Sequence, residues 1–146
     1  MKKQKKRKAK RSFLQYGALP FRESRSGVEF LLVTSRGTRK WIIPKGWPQR
    51  GKSPHRAAAV EAFEEAGVVG RIKTKTIGSY AYKKKVAGIV ARFKVRVFPL
   101  RVTRQHKTWP EKDQRRSRWY SPAQASRRVS EADLKRIIRA FAQRRM

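Results

Sequence analysis

Apolar and polar positions change period several times along this chain, and each change marks an element. Phe13 to Phe21 (FLQYGALPF) is the first apolar stretch and Val28 to Val33 (VEFLLV) the second; both read as strands, the second as a buried one. Glu23 to Gly27 supplies a polar turn between them, so the pair is expected to lie side by side. Trp41-Ile42-Ile43 is a short apolar segment ended by Pro44, and residues 45–52 (KGWPQRGK) read as a loop. Ser53-Pro54 then opens a helix, because serine can cap free N–H groups and proline is tolerated in the first turn. The helix runs through HRAAAVEAFEEA and is expected to stop at Gly67 in a left-handed conformation. Strands follow over Ile72–Tyr82 and Val86–Val102, where Phe93, Val95 and Val97 alternate with Lys94 and Arg96. Trp119-Tyr120 reads as a last short strand. Ser130 and Asp133 suggest a capping-box-like start to a final helix through Arg144. Leu134, Ile137, Ile138 and Phe141 fall on one face of it and read as core packing. This order of elements predicts an α/β fold with a mixed β-sheet flanked by helices, not a regular βαβ alternation.

Composition narrows the function. With 146 residues the chain has room for one modest core. It contains no cysteine, which excludes disulfides, thiolate metal sites and a cysteine nucleophile. No apolar run approaches the ~20 residues that span a bilayer, and MKKQKKRKAKR lacks the apolar stretch of a secretory signal. The expectation is a cytoplasmic protein with no membrane partner. Forty Lys and Arg against nine Asp and Glu give a net charge of +31. A field of that sign draws polyanions such as nucleotides, inositol polyphosphates or nucleic acid. Residues 1–11 hold eight of the basic side chains and no acid, which predicts a self-repelling, disordered basic arm ahead of a single domain over 12–146.

Three of the nine acids sit within five positions: Glu61, Glu64 and Glu65. Spacings of three and four place all three carboxylates on one helix face. Like charges so spaced destabilise a helix, and the C-terminal turns favour cations instead. The cluster therefore calls for a compensating cation. Carboxylates without cysteine suit a hard ion, Mg²⁺, Mn²⁺ or Ca²⁺, and His55 falls off that face. A second reading stays open: three exposed glutamates bridged to neighbouring Arg and Lys.

Residues 46–68, GWPQRGKSPHRAAAVEAFEEAGV, resemble the Nudix box in spacing over all 23 positions. Gly46, Glu61, Glu64, Glu65, Gly67 and Val68 match, while Lys52 replaces the first Glu and Val60 replaces the Arg. The resemblance extends over about residues 13–143 and implies a Nudix-type α/β/α sandwich. It implies a Mg²⁺-dependent hydrolase (with Mn²⁺ as the substitute ion) that cleaves a phosphoanhydride in a nucleoside diphosphate-linked or polyphosphorylated compound. Glu64 and Glu65 are then expected as metal ligands, Glu61 as a further ligand or water-orienting base, and the Gly46 carbonyl as an additional ligand. In that family the box Arg holds a catalytic glutamate in place, a service Val60 cannot perform. WIIPKG (Trp41–Gly46) looks like the branch acting on diadenosine polyphosphates and diphosphoinositol polyphosphates. Arg39, Lys45 and Lys83 are the candidate substrate-binding residues. Any one of them is as well explained by solubility; together they suit a substrate with many charges. Glu111 and Asp113 could complete a metal site or form local salt bridges. The alternative is a weakly active or inactive scaffold that binds nucleic acid or another polyanion through its basic surface. The oligomeric state leaves no mark in the sequence.

Overall fold

Two long strands with an apolar period of two form the spine, and everything else is placed against them. In the computed structural model of the chain, residues 11–145 are described. Most of the expected basic arm, residues 1–10, lies outside the described residues. Arg11 lies inside, its carbonyl accepting the N–H of Arg92 at 2.7 Å. Strand β1 (Ser12–Ser24) turns back as β2 (Gly27–Thr34) in antiparallel register, Phe21 opposite Phe30. Short strands β3 (Trp41–Ile42) and β4 (Lys45–Gly46) lead into helix α1 (Pro54–Ala66). Then come β5 (Val68–Ile72), β6 (Gly78–Val86) and β7 (Ile89–Gln105). A 3-10 turn (Lys112–Gln114), β8 (Ser117–Tyr120), α2 (Pro122–Arg128) and α3 (Ala132–Arg144) complete the order.

β7 runs parallel to β1 from Ser12↔Arg92 to Phe21↔Arg101, and every other strand pair is antiparallel. Its other edge is divided between β6 at the N-terminal half and β5 at the C-terminal half. The β6–β7 hairpin turns on Ala87 and Gly88, with φ of 52° and 78°, the left-handed pair that suits a two-residue turn between twisted strands.

Alternation within β2 shows how the layers form. Leu31 and Val33 pack with Ala58, Ala62 and Ala66 of α1 and with Phe98 and Leu100. Phe30 and Leu32 point to the opposite face, where they pack with Leu134, Ile138 and Phe141 of α3. The alanines recur every four residues, a narrow seam that lets α1 lie close to the sheet. Helices thus cover both faces, the expected α/β/α sandwich. No helix among the described residues is long and apolar enough to cross a membrane.

Several local expectations are corrected. The segment read as one strand, 72–82, is two strands separated by a turn, where the Thr76 hydroxyl lies 2.8 Å from the carbonyl oxygens of both Gly78 and Val97. Helix α2 was not anticipated; Ser121 and Gln124 form its capping box. The final helix is capped at Glu131 with no side-chain cap bond, so Ser130 does not cap it, and Asp133 pairs with Arg136 instead. Ser53 occupies the N-cap of α1 in an extended conformation without a side-chain cap bond, Pro54 filling the first turn. Gly67 ends α1 as expected, at φ 72°.

Candidate active site

Residues 45 and 46, read from sequence as loop, are held by β1 (Tyr16↔Gly46, Gly17↔Lys45), and this pairing builds the site. It brings Gly46 against α1 at Glu61. A Cβ at Gly46 would fall within 2.6 Å of both carboxylate oxygens of Glu61, so any side chain there must push that carboxylate aside. Gln49 from the following loop donates Nε2–H to Glu61 Oε2 at 3.2 Å.

One turn further, Glu65 is 4% exposed. Its Oε1 is buried with no hydrogen-bond partner, and its Oε2 lies 3.8 Å from an Arg115 nitrogen. Burial pushes this carboxyl up to about 8; Arg115 opposes the rise and neighbouring Glu61 adds to it. Glu61 is raised as well, chiefly by burial. Two adjacent carboxyls that resist ionisation together form one proton-holding pair.

Arg115 organises the far wall. It donates to Glu111 Oε1 at 2.7 Å and to the carbonyl of Thr34 at 3.0 Å, while it faces Glu65. The sequence did not single it out. Arg115 stands among forty basic residues, and its partners lie up to 81 positions away. Val60, at the box position of the arginine, is half-buried on α1. Lys52 is exposed and forms no ion pair among the described residues.

Glu61, Glu65, Glu111, Gly46 and Lys45 line a cleft of about 480 Å³. Part of the remaining wall is aromatic: Tyr82 stacks on Phe93 at 5.0 Å, and Trp47, half-exposed, leans on Phe93 at 5.8 Å, while Arg36 and Lys84 also line the cleft. The Tyr82 hydroxyl donates to Gln15 Oε1 at 2.7 Å. Lys45 lies over the Tyr82 ring at 4.9 Å, and burial lowers its pKa.

The sequence candidates are thus only partly convergent. Glu61, Glu65, Gly46 and Lys45 meet in the cleft. Glu64 does not line it; its carbonyl accepts the Glu111 N–H at 3.0 Å, and its side chain makes no ion pair among the described residues. Asp113 is exposed and outside the cleft. Lys83 lines an adjoining chamber, and Arg39, exposed at φ 60°, lines neither. No three His, Asp or Glu side chains among the described residues form a ready-made metal-binding group. A paired carboxylate with one open oxygen is what the geometry supplies.

The family model described as NUDIX domain matches residues 14–141. "Nudix hydrolase 21, chloroplastic" of Arabidopsis thaliana is 30% identical over 133 residues, covering 88% of this chain and 66% of the relative. The chain therefore spans just under two thirds of that relative's length. "Diphosphoinositol polyphosphate phosphohydrolase 3-beta" of Bos taurus is 41% identical over 54 residues, 37% of this chain and 33% of the relative. A crystal structure of a C. elegans Ap4A hydrolase binary complex aligns with TM-score 0.67 and 21% identity over 90% of this chain and 96% of that one, a likeness of fold.

Proposed function

Because this chain belongs to the NUDIX domain family, we propose that it is a metal-dependent pyrophosphohydrolase whose site is the cleft between β4 and α1. The observation that carries this reading is the pair Glu61 and Glu65, backed by a glycine whose Cβ would collide with the Glu61 carboxylate and left with one buried, unpartnered oxygen. These donors are all oxygen, which suits Mg²⁺ or Mn²⁺. Mg²⁺ commonly takes one or two carboxylates and completes its shell with water and substrate phosphate, so the lack of a three-carboxylate group is compatible with it.

Glu61, Glu65 and the Gly46 carbonyl would hold the ion, with Glu64 as a third carboxylate on the same helix. Bound there, the ion would polarise a phosphoryl oxygen and acidify a water. Gln49 orients Glu61, and Arg115 fixes Glu65 against Glu111. Lys45 offers a charge-assisted contact to phosphate, Lys83 a further cation beside the cleft, and Arg39 only a distant contribution to the field. The aromatic wall of Tyr82, Phe93 and Trp47 suits a planar ring on the substrate. The substrate class is a nucleoside diphosphate-linked or polyphosphorylated compound, a dinucleoside polyphosphate or a diphosphoinositol polyphosphate. The names of the relatives support this range.

The test is a panel of nucleotide and inositol phosphates with Mg²⁺ and with Mn²⁺, read for phosphate and nucleotide products. The wild type is expected to turn over at least one compound, and the folded Glu61→Gln, Glu65→Gln variant none. Equal turnover by both proteins refutes the assignment.

One observation bears on the second reading, a scaffold that binds nucleic acid. Lys83 and Arg92 stand directly opposite each other across β6 and β7, a like-charge pairing that costs stability, and neither has an ion-pair partner among the described residues. If RNA or DNA binds here, Lys83→Gln should weaken it and reduce the salt slope by about 0.7 to 0.9; an unchanged slope removes that reading.

A further inference from the structure

Beside the carboxylate cleft lies a second chamber of about 470 Å³, on the side of the sheet that α3 covers. The two spaces share Arg36, Lys45, Tyr82, Lys84 and Arg115, so one ligand can extend through both. The chamber is lined by six basic side chains (Arg36, Lys40, Lys45, Lys83, Lys84 and Arg115) against one carboxylate, Glu131. Arg36 is bonded to Gln114 at 2.9 Å, and Arg115 is committed to Glu111 and Glu65. Lys40, Lys83 and Lys84 have no ion-pair partner among the described residues.

A cationic surface alone would be solvated. Tyr80 makes this one different: it lines the chamber, is 2% exposed, and its hydroxyl is buried with no hydrogen-bond partner. An unsatisfied buried hydroxyl costs about 1 to 3 kcal/mol, and a chain selected for stability alone would carry phenylalanine there. An anion entering among the lysines would supply the acceptor it lacks.

We propose that this chamber is an anion site for a phosphate group of the substrate that lies outside the scissile anhydride. The preferred substrate then carries further phosphate beyond the scissile anhydride. A compound with a neutral group in that position leaves the lysines and Tyr80 unmet. The catalytic consequence rests on the pyrophosphohydrolase reading above, but anion binding does not.

The experiment separates the two. The full chain is titrated calorimetrically with inorganic tripolyphosphate in the presence of EDTA, so no metal and no turnover are involved. Tyr80→Phe removes one oxygen and no charge, and should weaken binding about tenfold while the melting temperature holds or rises. Lys40→Gln should also weaken it. Lys73→Gln, an exposed lysine after β5 and outside both spaces, controls for the loss of one charge from a protein of net charge +31 and should change little. If Tyr80→Phe and Lys40→Gln bind like Lys73→Gln, the chamber is no site and the anion is held by the general field.

With Mg²⁺, Tyr80→Phe and Lys40→Gln should raise KM for diadenosine tetraphosphate with a smaller change in kcat, and leave KM for ADP-ribose unchanged. Equal effects on both substrates overturn the specificity role. If the wild type hydrolyses neither compound, the pyrophosphohydrolase reading is in doubt, while the tripolyphosphate titration still decides the chamber.

Discussion

Metal binding by this protein should expel a proton, and the Glu65 environment sets how strongly. Glu65 is held at about 8, against 4.5 for a free glutamate, because it is buried, with Arg115 only partly offsetting the cost and Glu61 adding to it. Its folded-state pKa lies above the unfolded one, so between about 4.5 and 8 the folded chain holds the proton more tightly. The contribution to stability is complete below the unfolded pKa and is lost as pH rises through the folded one, by about 1.4 kcal/mol per pH unit at most and roughly 5 kcal/mol as a ceiling across the window. A divalent ion needs the ionised carboxylate and must displace that proton. Below pH 8 the dissociation constant should therefore weaken about tenfold per pH unit, or about 100-fold from pH 8 to pH 6. Calorimetric titration with Mn²⁺ in two buffers of different ionisation enthalpy counts the protons released, and melting in EDTA across pH 5 to 8.5 reads the apo cost. Glu65→Gln keeps the shape and removes the titration, so its melting temperature should lose most of the pH slope. A dissociation constant flat from pH 6 to 8, with no proton released by the wild type, would refute the reasoning.

Arg115→Met removes the bond to Glu111, the donation to Thr34 and the charge facing Glu65. Loss of about 3 to 5 kcal/mol in denaturant unfolding is expected, along with a large fall in kcat. Val60→Arg, which restores the residue usual at that box position, should leave kcat within about twofold, because Arg115 already faces Glu65; steady-state kinetics on the folded variant checks this. Gly46→Ala drives a methyl into the Glu61 carboxylate and should weaken Mn²⁺ binding by at least about tenfold, measured by titration, with a smaller loss of melting temperature.

Much of the fold was legible because its signals are local. Phe93, Val95 and Val97 alternate with lysine and arginine, the α3 stripe repeats at helical spacing, and Gly67 marks the end of α1. Helix α2 escaped because its arginines mask any apolar stripe; its only clear mark is the Ser121–Gln124 capping pair. Glu61 and Glu65 were legible from their spacing alone; Glu64, grouped with them by the same spacing, stands on the same helix but is not among the residues that line the cleft. Gly46 was matched by pattern, whereas the reason for it, the carboxylate pressed against its backbone, exists only once β4 pairs with β1. Arg115 acts through contacts with segments up to 81 positions away, which no single window of sequence contains, and nothing in the local pattern around Gln49 or Tyr80 marks either.

The parallel pairing of β1 with β7 joins residues about eighty positions apart, and that distance has a consequence during synthesis. The β1–β2 hairpin can close early, but β1 then presents an unsatisfied edge until residues 92–101 leave the ribosome. Closing so long a loop comes late and makes folding slow. Throughout that interval the exposed edge is open to pairing with another nascent chain. A transcript cut short before residue 92 should therefore yield an insoluble fragment rather than a smaller folded one.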